Sequence, residues 1–128
     1  MKFFLVTLVA ALLVLVCSSS VNSLPIERRG GGGSFSGDGT FYTVGLGSCG
    51  KTNKDSDLVV ALSSKLMSSG KNYCNKKIKV ETDKGDVTAT VVDTCPGCAK
   101  NDVDFSIGAF EKIGDTAAGR IKISWSFA

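Results

Sequence analysis

The chain has 128 residues, 43% of them hydrophobic, which is enough for one compact domain and too little for two. Fifteen Lys and Arg stand against twelve Asp and Glu, and histidine is absent. Acid–base chemistry near neutral pH therefore falls mainly to carboxylates, and so small a positive balance gives little support to a nucleic-acid partner.

Met1-Lys2 and the almost unbroken apolar run from Phe3 to Val16 read as a signal peptide. The run is shorter than the roughly 20 residues that cross a bilayer, and no second run of spanning length follows. No membrane association is expected after processing. Val21-Asn22-Ser23 places compact residues where a signal peptidase reads, so cleavage after Ser23 is expected, giving a leader 1–23 and a secreted, extracellular protein. Arg28-Arg29 resembles a dibasic processing site; the alternative is a solvated charge pair. Cleavage after Arg29 would leave 99 of the 128 residues. Residues 24–38 read as a short pro-segment and a linker made flexible by Gly30-Gly31-Gly32-Gly33-Ser34, with the folded domain over 39–128. From Gly30 onward there are twelve basic and eleven acidic side chains, so the positive surplus belongs largely to the leader. Lys76, Lys77 and Lys79 are offset by Glu81, Asp83 and Asp86.

Strands dominate the domain. Thr40 to Val44 is a first β segment, ended by Gly45 and Gly47. Gly45-Leu46-Gly47-Ser48-Cys49-Gly50 has the spacing of a dinucleotide fingerprint, but that mechanism needs a helix immediately after it. Lys51 to Asp57 is turn chemistry instead, with Asp55 and Asp57 read as solvated turn residues, and no cofactor is expected. Leu58 to Leu62 is a buried apolar strand, followed by a possible helical turn over Ser63 to Met67. Ile78 to Thr82 alternates, Asp83 to Asp86 turns, and Val87 to Val92 returns as a hairpin. Ser106 can cap a short helix through Ile113, with Ile107, Phe110 and Ile113 on one side. Ile121 to Phe127 alternates cleanly, placing Trp125 with Ile121, Ile123 and Phe127 on the inward face. Short strands with one or two small helices make a mainly β, barrel-like domain.

Cys17 leaves with the leader, and Cys49, Cys74, Cys95 and Cys98 remain, an even number that reads as two disulfides with three possible pairings. The favoured pairing joins Cys49 to Cys74 and Cys95 to Cys98. The first would close a loop of about 25 residues and stabilise by roughly 3 kcal/mol in the chain-entropy model. The second mostly fixes turn geometry. A redox role for Cys95-Pro96-Gly97-Cys98 would want a following helix, and Ala99 to Asp104 is polar loop. A four-cysteine zinc site would show two close pairs, so no metal is expected.

Two aspartates stand out. Asp93 ends the strand Val91-Val92, and the cysteine-pinned turn brings Asp104 within reach, an arrangement suited to a polysaccharide-facing groove. The same two carboxylates could instead accept hydrogen bonds from barrel loops and from the helix start at Ser106.

Thr40-Phe41-Tyr42, Gly47-Ser48-Cys49-Gly50, Val59 to Ser63, Cys74-Asn75-Lys76-Lys77, Val91-Val92-Asp93, and Asp104-Phe105-Ser106 with Ala109-Phe110 follow one another in order. That succession, covering about 39–127, resembles the double-psi β-barrel of the expansin, barwin and RlpA-like group, most of all its small secreted single-domain fungal members and the similar bacterial papain inhibitor. The resemblance implies a six-stranded double-psi β-barrel with a ligand groove lined by Thr40, Tyr42, Asp93 and Asp104. Asp102 stands where expansins often carry a histidine, and Cys95 where a tyrosine sometimes stands. On this reading, the aromatic-bearing second domain of expansins is not expected after the barrel.

Three functions follow from this reading. The first is a non-catalytic, monomeric, secreted protein that binds a cell-wall polysaccharide or an extracellular host protein through the groove and the flanking loops, 45–57 and 96–104. The second is an inhibitor of papain-like cysteine proteases acting through the Cys95–Cys98 turn. The third is a glycan-cleaving enzyme with Asp104 as acid and Asp93 as partner; it ranks last, because no separate base accompanies Asp104.

Overall fold

The computed structural model describes residues 33–128. The leader, Ser23 and Arg29 lie outside them. Six strands close into a barrel: β1 (Phe35–Phe41), β2 (Val59–Ser63), β3 (Lys77–Thr82), β4 (Gly85–Cys95), β5 (Val103–Phe105) and β6 (Ile121–Phe127), in spatial order β1-β5-β2-β4-β3-β6 with β6 paired back onto β1. Two short helices, α1 (Ser64–Met67) and α2 (Ile107–Phe110), and a 3₁₀ turn at Thr116–Ala118 complete it. Closure leaves no sheet edge to template aggregation.

Alternation builds the inner wall. Ile78 and Val80 of β3, Val87, Ala89 and Val91 of β4, and Ile123 and Trp125 of β6 are buried, while Lys79, Thr88, Lys122 and Ser124 between them are exposed. The hairpin β3–β4 is in register from Lys77↔Thr90 to Thr82↔Gly85, leaving Asp83-Lys84 as its two-residue loop. All five residues of β2 are buried. Val60 and Leu62 belong to the core, and the opposite face is covered by loops: Ser106 donates its N–H to Val59 O at 2.9 Å, and Ser63 Oγ donates to Cys98 O at 3.1 Å.

Trp125 is 1% exposed, stacks on Phe35 with ring centroids 4.4 Å apart, and donates its indole N–H to Asn101 O at 2.8 Å. Phe127 continues the cluster and stacks on Tyr73 at 4.8 Å. Both aromatic rings that might have faced a sugar from this side are thus committed to packing. Ser106 caps α2, its Oγ accepting from Ala109 N at 3.2 Å. Regular helix ends at Phe110, short of the expected Ile113, and the next residues continue as hydrogen-bonded turns that still bury Ile113.

Two strands depart from the sequence reading. β1 spans Phe35–Phe41, not 40–44, so it takes up residues 35–38 that read as linker. Two glycines of β1, Gly37 and Gly39, are sites of close approach. A Cβ on Gly37 would collide with Asn101 O, and one on Gly39 would lie 2.9 Å from a Phe105 ring carbon. β5 is a three-residue strand where polar loop was expected up to Asp104. It is too short for periodicity to reveal, and it is held by β1 on one side and β2 on the other.

Candidate functional site

Strand register assembles the site. Thr40 of β1 pairs with Asp104 of β5, Asp104 with Ala61 of β2, and Ala61 with Asp93 of β4, making one row across four strands. In β5 the flanking Val103 and Phe105 are fully buried, so Asp104 between them points out of the barrel. Asp93 reaches the row through an irregularity. The β2–β4 pairing shifts between Val60↔Val91 and Ala61↔Asp93, so Val92 is an extra residue in β4. In strict alternation Val92 would oppose Ala61; the bulge puts a carboxylate there instead. Two strand spacings separate Asp93 from Asp104, about 9.5 Å between backbones. Ala61, small and between them, keeps the floor of the row low.

The side chains are linked. Thr40 Oγ1 donates to Asp104 Oδ1 at 2.9 Å. Tyr42, one residue past β1, directs its hydroxyl to Asp93 Oδ2 at 3.5 Å. Asp93 Oδ1 accepts the backbone N–H of Ser48 at 2.9 Å and of Thr94 at 2.8 Å. All four groove residues expected from the sequence, Thr40, Tyr42, Asp93 and Asp104, therefore lie together. Burial raises the Asp104 carboxyl above the usual carboxylate range, opposed by the Thr40 hydrogen bond and by the positive field of Arg120, and reinforced by Asp93. Burial, then the charges of Asp93 and Asp104, push the Tyr42 phenol upward, so it stays protonated and acts as a donor. Among the described residues no cluster of three His, Cys, Asp or Glu is arranged to hold a metal ion.

Two disulfide-braced loops flank the row. Cys49 is joined to Cys74 and Cys95 to Cys98. The 45–53 loop is fastened to β4: Cys49 donates its N–H to Val92 O at 3.2 Å, and Gly47 leaves no room for a Cβ against that same carbonyl. The glycines of the fingerprint-like stretch thus serve a docked turn, with the bridge Leu46↔Thr52 closing it. Asp55 and Asp57 are tied within their loop, accepting Val44 N at 3.2 Å and Lys54 N at 3.1 Å.

Sequence reasoning missed four participants. Ser48 and Thr94 hold Asp93 with backbone groups, which residue type does not advertise. Ala61 is a groove residue only through register. Arg120 joins a surface network in which its Nη1 lies 3.0 Å from Asp38 and 3.8 Å from Asp102, with Lys122 3.0 Å from Asp38. Asp102 also accepts the Asp38 N–H at 2.9 Å, so the residue standing at the expansin histidine position fastens β1 to the start of β5.

Known proteins share this fold. The protein-family model described as lytic transglycolase, a double-psi β-barrel, matches residues 35–125. A homolog of the allergen Asp f 7 from Arthroderma benhamiae is 35% identical over an alignment of 115 positions, which covers 75% of this chain and 40% of the relative. Allergen Asp f 7 of Aspergillus fumigatus is 42% identical over 82 residues, covering 62% of this chain and 30% of the relative. The chain spans less than half the length of these two fungal relatives. Among solved structures, a variant of the Clavibacter michiganensis expansin in complex with cellohexaose superposes with a TM-score of 0.67 at 31% identity, over 74% of this chain and half of that one. The Streptomyces papain inhibitor superposes with a TM-score of 0.68 at 27% identity, over 76% of this chain and 96% of that one. The chain belongs to the RlpA-like double-psi β-barrel family.

Proposed function

We propose that this is a secreted, non-catalytic protein whose groove binds a chain of neutral cell-wall sugars. The observation that supports the reading best is the four-strand row, in which Thr40, Asp104, Asp93 and Tyr42 present hydroxyls and carboxylates along one line. Hydroxyl-rich ligands match such a surface, and the expansin neighbour carries cellohexaose. Cleavage is not proposed. An inverting hydrolase needs two carboxyls roughly 6.5–9.5 Å apart with one free to activate water. Asp104 can hold a proton, but Asp93 already accepts two backbone N–H groups and faces the Tyr42 hydroxyl. The leader and two disulfides support an extracellular site of action. Pull-down on insoluble cellulose, xylan, chitin and peptidoglycan tests the reading, alongside an assay for released reducing ends. Retention that weakens in Asp104→Asn with no sugar release is expected. Sugar release that disappears in Asp104→Asn would overturn it in favour of an enzyme.

One observation favours a second reading, inhibition of a papain-like cysteine protease. The papain inhibitor is matched over 96% of its length, so this barrel is comparable to that whole molecule. The exposed Pro96-Gly97 turn, pinned by Cys95–Cys98, is a loop that could enter a protease cleft. Inhibition of papain by the same preparation separates the two readings.

A further inference from the structure

Both disulfides of the described chain brace loops rather than the barrel interior. The barrel already closes on its own hydrogen bonds around a core cluster to which neither bridge belongs. Cys49–Cys74 anchors the 45–53 loop and Cys95–Cys98 closes the neighbouring turn. The two loops are also joined to each other, because Ser48 Oγ lies 2.7 Å from Thr94 Oγ1 and Ser48 N–H binds Asp93. The first loop is braced internally: Gly47 N–H to Lys51 O at 2.9 Å, Gly50 N–H to Gly47 O at 3.0 Å, and Asn53 N–H to Gly45 O at 3.0 Å. Beside the bridge to Thr52 that closes it, the loop carries Leu46, 74% exposed. Among the described residues only Leu58, at 37% and at the far end of the same connection, is another exposed large hydrophobic.

A single exposed leucine on a surface is ordinary. A leucine held out on a loop with this many restraints is different, because its ordering is already complete before any partner arrives, and binding then costs little further entropy. We infer that Leu46 is the apolar anchor of a two-loop wedge, formed with the Pro96-Gly97 turn, that seats in the active-site cleft of a papain-like cysteine protease, Leu46 filling an apolar side-chain subsite. This rests on the second reading above and assigns its main contact to a loop other than the Cys95–Cys98 turn.

The test is the inhibition constant of the purified full chain against papain, measured for the protein, Leu46→Asp and Leu46→Met. Removing a buried leucine contact corresponds to roughly a 10- to 100-fold loss of affinity. Leu46→Asp is expected to lose at least that much and Leu46→Met to stay within about threefold, the volume being conserved. Equal melting temperatures for all three proteins establish that the fold is unchanged. Inhibition that is indifferent to Leu46→Asp would overturn the anchor while leaving the inhibitor reading standing. No inhibition by the unsubstituted protein would overturn both.

Discussion

The inside of the barrel and the groove on its outer face are built from the same strands by different means. Inside, each strand contributes its own alternation: Ile78 and Val80, Val87, Ala89 and Val91, Ile123 and Trp125 are each placed by the period of their own segment. On the groove face, no segment is informative alone. Thr40, Ala61, Asp93 and Asp104 become neighbours only because four strands, two of the three contacts between them parallel or shifted, align in one register. The interior is thus specified locally and redundantly, the groove by long-range pairing and one bulge. Loss of a core side chain should cost stability, and loss of a groove side chain should cost binding.

The sharpest way to break that division is Trp125→Ala. It removes the largest fully buried side chain and the hydrogen bond to Asn101 O, and should destabilise by about 3–5 kcal/mol. Denaturant unfolding measures it; a cost under about 1 kcal/mol would mean that the interior is not packed as described. Replacing Cys49 and Cys74 together by Ala should cost roughly 3 kcal/mol in the chain-entropy model. Replacing Cys95 and Cys98, which closes a far smaller loop, should cost distinctly less while weakening glycan retention, because the turn sits beside Asp93. Equal stability losses for the two pairs would remove the assignment of separate roles.

A smaller effect sharpens the groove side. Asp104 has its carboxyl raised by burial, so its protonated form is favoured in the folded state. Its contribution is therefore complete below the unfolded carboxylate value of about 3.9 and is lost as pH rises through the higher folded value. Asp104→Asn should remove that decline, giving a protein equal to or slightly more stable than the parent at neutral pH. Thermal melts from pH 3 to 7 read it directly, and a clear destabilisation at pH 7 would make Asp104 structural. Arg120→Ala should act in the opposite sense on the carboxyl itself, raising it further by removing a positive field, with a change in melting temperature near the limit of detection because Arg120 is largely exposed.

What the sequence made legible follows the same division. The hairpin from Ile78 to Val92, the last strand and the Ser106 cap could be read because each is written in consecutive residues. Asp93 and Asp104 were legible as a strand-end carboxylate and its return-loop partner, whereas Thr40 and Tyr42 were named only through resemblance to a family. The start of β1 escaped because residues 35–38, with Gly37 among them, read as linker, whereas Gly37 and Gly39 are glycines that let Asn101 and Phe105 come close. β5 escaped because three residues cannot display a period. The backbone clasp of Ser48 and Thr94 on Asp93 had no signal at all, since backbone amides are common to every residue, and the Val92 bulge that aims Asp93 outward is equally silent.

The central claim is that the row across β1, β5, β2 and β4 is the binding surface. Titration of the isotope-labelled protein with cellohexaose, followed through its backbone amides, tests it most directly. The account expects perturbations concentrated at Thr40, Tyr42, Ala61, Asp93, Thr94 and Asp104, sharply reduced in Asp104→Asn. Perturbations gathered elsewhere on the barrel, or none at millimolar ligand, would contradict it.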